Sequence, residues 1–386
     1  MNSKKKEKLW TFQFVLITTI NLTIFFGFQL LTPILPVYVK SLGISDNTIG
    51  WVTGIFTIAA LLVRPFTGSA LDRLGRRIIF LFGLIVFIVA TASYSWLPTV
   101  GLILAVRFVH GLGWGIASTA TNTIASDVIP GQRFGEGMGY FTLAANVAMA
   151  IFPGIGLYII ANYSFKAASL LATSLVLVAL FLSFALKYKP VTTEKKAQKQ
   201  LELFEMTSVR PSVIMFFTTV TYGAINSFLA LYAQERGFTK AGTFFTVMAI
   251  AMVISRPLFG MLVDRFGFSL AVIPGLLIIM ISMLLLGKAT TLPLFLISGA
   301  AYGIGFGATQ TSLQAMAVTS APRDRMGLAN STFFIGFDTG IGFGSIILGQ
   351  VAAISSYGDM FLWSAASVAI ALVLYLTIGR RQLSSH

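Results

Sequence analysis

The sequence contains no cysteine. Disulfides, thiolate metal centres and cysteine nucleophiles are therefore excluded. Only two histidines occur in 386 residues, too few for a histidine-built zinc centre. Charge is scarce: 10% of residues are Asp, Glu, Lys or Arg, where soluble domains carry about 25%. No GxxxxGK[ST] phosphate loop is present, so ATP is not expected to drive the protein. Segments of about 10 residues that alternate apolar and polar, the mark of an outer-membrane barrel, are also missing. The basic start MNSKKKEKLW is followed by no small-residue cleavage site. The apolar run behind it is too long for a signal peptide, and the start reads as a tail leading into a first span.

What fills the chain is apolar. Hydrophobic residues make up 56% of it, more than a soluble domain of this size conceals, so the chain belongs in a lipid bilayer. The net charge of +14 does not point to nucleic acid, because the basic residues sit in short loops between apolar runs. A spanning helix needs about 20 apolar residues. Twelve such runs are predicted, near 11–39, 47–70, 77–95, 99–127, 137–162, 165–187, 211–235, 240–263, 268–287, 291–319, 326–353 and 358–379. Of the 27 basic residues, Lys40, Lys166, Arg236, Lys240 and Lys288 fall on one side and Arg107 falls inside a span. All the others fall on the opposite side, which the positive-inside rule makes cytoplasmic, with both termini.

The longest polar stretch, KYKPVTTEKKAQKQLELFEMTSVRPS, lies at the midpoint of the chain. It reads as a cytoplasmic linker, 188–210, between an N-terminal half, 1–187, and a C-terminal half, 211–386. A short surface helix is expected around Glu194 to Glu205, and a regulatory site within the linker is the alternative to a plain connection.

The halves repeat. RPFTGSALDRLGRR, starting at Arg64, returns as RPLFGMLVDRFG, starting at Arg256, at a constant offset of 192. Arg64, Pro65, Gly68, Asp72, Arg73 and Gly75 recur as Arg256, Pro257, Gly260, Asp264, Arg265 and Gly267. In the same register Gly111, Gly113 and Gly115 become Gly303, Gly305 and Gly307, while Pro130 and Arg133 become Pro322 and Arg325. Two parallel copies in a membrane chain imply an all-α membrane protein of twelve transmembrane helices. They form two pseudo-symmetric six-helix bundles, with a substrate site near the bilayer midplane where the repeats meet.

GSALDRLGRR resembles the loop motif between the second and third helices of the major facilitator superfamily. Arg107 to Gly113, RFVHGLG, resembles its fourth-helix motif. Ala148 to Gly156, AMAIFPGIG, is similar to the fifth-helix motif of its drug/proton antiporters, with Ala148 and Phe152 where that pattern has glycine. The resemblance covers the whole chain. It implies a secondary active transporter working by alternating access, with no cofactor, acting as a monomer in the plasma membrane. Its partners are a small-molecule substrate, protons and the lipid bilayer. Export of drug-like amphipathic molecules by proton antiport is the leading expectation. A dedicated exporter of one metabolite, such as a sugar or metallophore, and an inward proton-coupled symporter stand beside it.

Within this frame several residues are candidates. For gating, Gly68 permits close helix approach and Asp72 faces the positive end of a neighbouring helix, which in the family is the eleventh. Asp127 is placed to pair with Arg73 or Arg76. Gly260, Asp264 and Arg265 repeat these roles in the second half. The alternative is that the arginines only mark topology. For proton coupling, Asp338 is the acid deepest in a span, where burial favours its neutral form. Proton carriage, a structural hydrogen bond and substrate contact are all open to it. Arg107, His110, Gly111, Trp114 and Ser118 share one helical face, read as a cavity wall. There Arg107 is an electrostatic partner of Asp338 or an anchor for substrate, and His110 is a proton shuttle or a structural hydrogen bond. Further cavity candidates are Asn21, Phe25, Gln29, Asn146, Tyr222, Asn226, Phe306, Gln310 and Gln314.

Overall fold

A computed structural model of the protein describes residues 8–97, 99–189, 204–322 and 325–379. The side chains of Asp72 and Asp264 lie outside the described residues, as does the expected surface helix near Glu194. Among the described residues, twelve helices long and apolar enough to cross a membrane follow one another in chain order. They are α1 (Phe12–Ser41), α2 (Asp46–Arg73), α3 (Arg76–Ser93), α4 (Val100–Val128), α5 (Phe134–Asn162), α6 (Phe165–Ser183), α7 (Met206–Glu235), α8 (Ala241–Phe266), α9 (Ser269–Gly287), α10 (Leu292–Thr319), α11 (Met326–Ile354) and α12 (Tyr357–Leu374). In lipid only a helix satisfies its own backbone groups, so near-continuous apolar runs have one spanning solution. Pro65 and Pro257 lie inside α2 and α8 at repeat-related positions.

The chain divides into two compact units, Met1–Leu31 with Ile58–Lys195, and Thr32–Thr57 with Lys196–His386. In the first unit α3 and α4 cross through glycines. A Cβ on Gly83 would sit 2.9 Å from the Ala117 nitrogen, and one on Gly113 2.7 Å from the Phe87 nitrogen. Gly115 has the same lack of room against Ala60 and Val63 of α2, and Gly27 against Ala172 and Val176 of α6.

In the second unit the same contacts recur one repeat later. Gly275 and Gly305 carry the α9–α10 crossing, with Gly305 against Ile279. Gly307 meets Met252 and Ser255 of α8. This unit also holds the ends of α1 and α2 that face each other across their short turn. Gly50 lies against the Ser345 carbonyl and Gly54 against the Ile346 side chain, both on α11. Ser227 of α7 bridges Thr53 (2.7 Å) and Ser345 (3.2 Å). At the turn, Asp46 accepts from Lys40 at 2.8 Å and from the Tyr357 hydroxyl at 2.6 Å.

Two repeat-related glycines are required by backbone conformation. Gly75 (φ 93°) ends the α2–α3 turn and Gly267 (φ 82°) the α8–α9 turn, in a region that side chains avoid.

Candidate functional site

The wall predicted on α4 is enclosed in protein. Arg107 is 2% exposed and His110 0%. Arg107 Nη1 lies 3.2 Å from His110 Nδ1, and the Tyr94 hydroxyl lies 3.2 Å from the same nitrogen. A guanidinium can only donate. Nδ1 must therefore accept, which places the imidazole proton on Nε2. Protonating Nδ1 would set two donors against each other, so this geometry opposes the shuttle reading of His110. The Phe87 ring packs on the imidazole at 4.6 Å. Sequence periodicity places these residues on one face but does not show its surroundings: Phe87 of α3 and Tyr94 pack on it at His110.

Further along α4, Trp114 stacks on Phe28 of α1 at 4.1 Å, with Phe25 edge-on at 4.9 Å. Phe25 is half-buried, while Trp114, Gln29 and Asn146 are buried. Asn21 is buried too, and its side-chain nitrogen donates to the Phe141 carbonyl at 3.3 Å. That bond ties α1 to α5, so Asn21 has a structural task here.

The second unit places its candidates more openly. Phe306 of α10 lies between two rings, Tyr222 of α7 at 5.1 Å and Tyr302 at 5.4 Å, both nearly parallel to it. Phe337 of α11 approaches Tyr222 at 6.4 Å and Phe306 at 6.2 Å. Asp338 follows Phe337 directly and is half-buried near the middle of the 29-residue α11. Tyr302 is pinned by Thr221 at 2.9 Å. Tyr222 and Asn226 are half-buried, one helical turn apart. Gln314 donates to Asn330 at 2.8 Å.

Sequence reasoning missed Arg256. It was counted with the loop charges, yet it lies inside the α8 span, half-buried, and donates to Gln310 at 2.9 Å. Arg64 lies inside the α2 span in the same way. Arg107 is thus not the only span cation. The signal was available in the predicted spans 47–70 and 240–263, which already contain Arg64 and Arg256.

At the gating motif, Arg76 Nε donates to Asp127 at 3.1 Å and Arg76 Nη1 to the Leu71 carbonyl at 3.0 Å. Lys189 Nζ lies 3.6 Å from the second Asp127 oxygen. Arg73 and Arg265 are exposed. A Cβ on Gly68 or Gly260 would meet nothing within 4 Å, so neither glycine carries a helix crossing within its own unit. The helix crossings sit nearer the middle of α2 and α8, at the positions facing Gly115 and Gly307, and both glycines lie beyond them.

The profile of the Major Facilitator Superfamily matches residues 17–243 and 212–385. An uncharacterized MFS-type transporter of Methanocaldococcus jannaschii is 27% identical over 378 residues, covering 94% of this chain and 97% of that protein. The quinolone resistance protein NorA of Staphylococcus aureus is 26% identical over 213 residues, and the match spans 54% of this chain and 55% of NorA. Among solved structures, a bacterial homolog of the human lysosomal transporter Spinster, inward-facing and occupied, superposes with a TM-score of 0.82 at 13% identity, covering 97% and 98% of the two chains. A D-xylose-proton symporter superposes with a TM-score of 0.78 at 16% identity, covering 94% and 96%. Twelve apolar helices, a doubled helix-packing register and a family profile reaching from the first helix to the last agree that this multi-pass membrane protein, a transporter and not an enzyme, belongs to the major facilitator superfamily.

Proposed function

We propose that this transporter exports small amphipathic organic molecules in exchange for protons. It works by alternating access as a monomer in the plasma membrane, with both termini in the cytoplasm. The observation that carries the reading is the setting of Asp338. A carboxyl group in mid-span is costly unless it has work to do, and this one follows the aromatic ring that meets the Tyr222–Phe306 stack. Flat aromatic faces hold amphipathic ligands without demanding one shape, and an adjacent acid supplies a proton-binding group. Similarity to NorA over about half its length supports the drug branch of the family.

The test uses inverted membrane vesicles with an acidic interior and a panel of amphipathic fluorescent dyes. Uptake is expected to follow the pH gradient and to vanish in Asp338→Asn with the protein still folded. Undiminished gradient-driven uptake by that variant would remove the proton role. Transport of no dye in the panel would remove the broad-substrate role. Accumulation only in right-side-out vesicles would make the protein an importer.

A further inference from the structure

The turn between α2 and α3 carries a pocket apart from the aromatic stack and Asp338. Leu74, Gly75, Arg76, Arg77 and Ile78 line it from the turn, and Leu186, Tyr188 and Lys189 from the segment leaving α6. They line an open depression of about 430 Å³. Arg76, Arg77 and Lys189 bring three positive charges to this pocket. Among the described side chains, Asp127 answers them with one negative charge through Arg76 and Lys189. Tyr188 is anchored by donating to the Ser183 carbonyl at 2.7 Å. Among the described side chains, the balance of charge at the pocket is positive.

Two further observations describe the missing partner. The first is apolar. Ile78 opens a line of exposed residues on α3, Ile78, Phe82, Ile85 and Val89, at the four- and three-residue steps of one helical face. Leu74 beside the pocket is 58% exposed, and Phe181 and Phe184 at the end of α6 are exposed as well. The pocket therefore sits where a hydrocarbon-facing helix surface begins. The second is the repeat. Gly267 reproduces the turn at Gly75, yet Phe268 and Ser269 stand where Arg76 and Arg77 stand. A second turn of the same shape without these cations shows that neither the backbone nor the helix register demands them.

We propose that this pocket binds the phosphodiester headgroup of an anionic phospholipid, with the acyl chains lying along the exposed α3 face. Arginine and lysine suit phosphate oxygens, and basic pockets at the membrane interface take anionic headgroups. The apolar line favours a lipid over free phosphate, because a soluble anion gains nothing from it.

The experiment is native mass spectrometry of the full-length protein in detergent, titrated with phosphatidylglycerol or with phosphatidylcholine of the same chains. The wild type is expected to prefer phosphatidylglycerol by about tenfold or more, the scale of two surface cations acting on one anionic lipid. Arg77→Gln/Lys189→Gln should lose most of that preference with phosphatidylcholine binding unchanged. Lys8→Gln/Arg210→Gln removes as many exposed cations elsewhere and should retain it. If the first double variant folds poorly, Arg77→Gln alone, at an exposed position, should lose several-fold. The proposal is overturned if the pocket variants keep the wild-type preference, or if the control pair loses as much. It is also overturned if millimolar inorganic phosphate displaces the lipid, which would make the site one for a soluble anion. None of these readouts depends on transport, so this site and the proton-coupled export can fail separately.

Discussion

α4 and α10 run in one register and carry different chemistry. Gly113 packs on Phe87, and 192 residues later Gly305 packs on Ile279. Gly115 meets Ala60 and Val63, and Gly307 meets Met252 and Ser255, again 192 residues on. On the same helices the neighbouring residues part company: Arg107, His110 and Trp114 become Gly299, Tyr302 and Phe306. In the first unit the result is a sealed group of guanidinium, imidazole and phenol. In the second, the Phe244 ring packs against Gly299, and an aromatic stack runs out to half-buried Tyr222 and meets Phe337, the residue before Asp338. Duplication held the positions where a Cβ has no room and released those where a side chain has a choice. The repeat therefore preserves geometry, and function follows from where the copies differ.

The sharpest difference between the units is the pair Asn146 and Asp338, which are repeat mates. Complete loss of pH-driven uptake in Asp338→Asn is the largest effect expected. Asn146→Asp added to that variant tests whether register or surroundings make the proposed proton site. We expect no recovery, because Asn146 is buried on α5 and the Tyr222–Phe306–Phe337 aromatics belong to the second unit. Recovery in the vesicle assay would mean that the two units are interchangeable at this position.

Next come the shared contacts. Gly113→Val and Gly305→Val should each destabilise by about 2 kcal/mol or more, since overpacking a filled crossing costs about 1–3 kcal/mol and here the obstacle is backbone. The two should agree within about 0.5 kcal/mol if the repeat is a true mechanical copy, which lies within the scatter of independent sites. Thermal unfolding in detergent measures both. Gly68→Ala and Gly260→Ala serve as controls and should leave the unfolding temperature unchanged.

That contrast marks how far the sequence is legible. Twelve spans, the offset and the positive bias follow from composition and spacing, because lipid leaves the backbone one solution. The special glycine of the α2–α3 turn was visible as part of a motif, but not which one it was. Gly68 looked like a packing residue, whereas Gly75 carries the strained φ and Gly113 and Gly115 carry the crossings. Spacing places residues on a helix face without saying what covers that face, so Arg107 and His110 were read as a cavity wall when Tyr94 and Phe87 enclose them. Arg256 was hidden for the opposite reason: a cation near a basic loop is counted with the loop. The Asp46–Tyr357 bond joins residues 311 positions apart, a link that no local pattern announces.

A smaller effect separates the two hydroxyls. Tyr94→Phe removes a phenol that is hydrogen-bonded to the buried Arg107 guanidinium as well as to His110, and Tyr302→Phe removes one bonded to neutral Thr221. Hydrogen bonds involving charge are worth about 1.5–3 kcal/mol and neutral ones about 0.5–1.5 kcal/mol. Tyr94→Phe should therefore lower the unfolding temperature more. Equal shifts would mean that the first unit's cation draws nothing from Tyr94.

The smallest expected effect lies at the entrances to α1 and α7, where Gln13 and Glu205 are repeat mates. Gln13 accepts from the Lys187 backbone nitrogen at 2.8 Å, a neutral bond. Glu205 accepts from the Thr207 hydroxyl at 3.1 Å and from Arg325 at 3.3 Å. Burial alone would raise its pKa. The bonds from the Thr207 hydroxyl and backbone N–H, together with Arg325, outweigh burial and hold the carboxyl below the usual glutamate range. A depressed folded pKa contributes stability above the unfolded value of about 4.3 and loses it as pH falls through the folded value. Glu205→Gln should therefore unfold at a lower temperature than the wild type at neutral pH. The gap should start to narrow near the unfolded value and close at more acid pH. Gln13→Ala should show a gap with no such pH dependence. A Glu205→Gln gap that stays constant through the acid range would make the two entrances equivalent, and the ion pair with Arg325 would then be without thermodynamic weight.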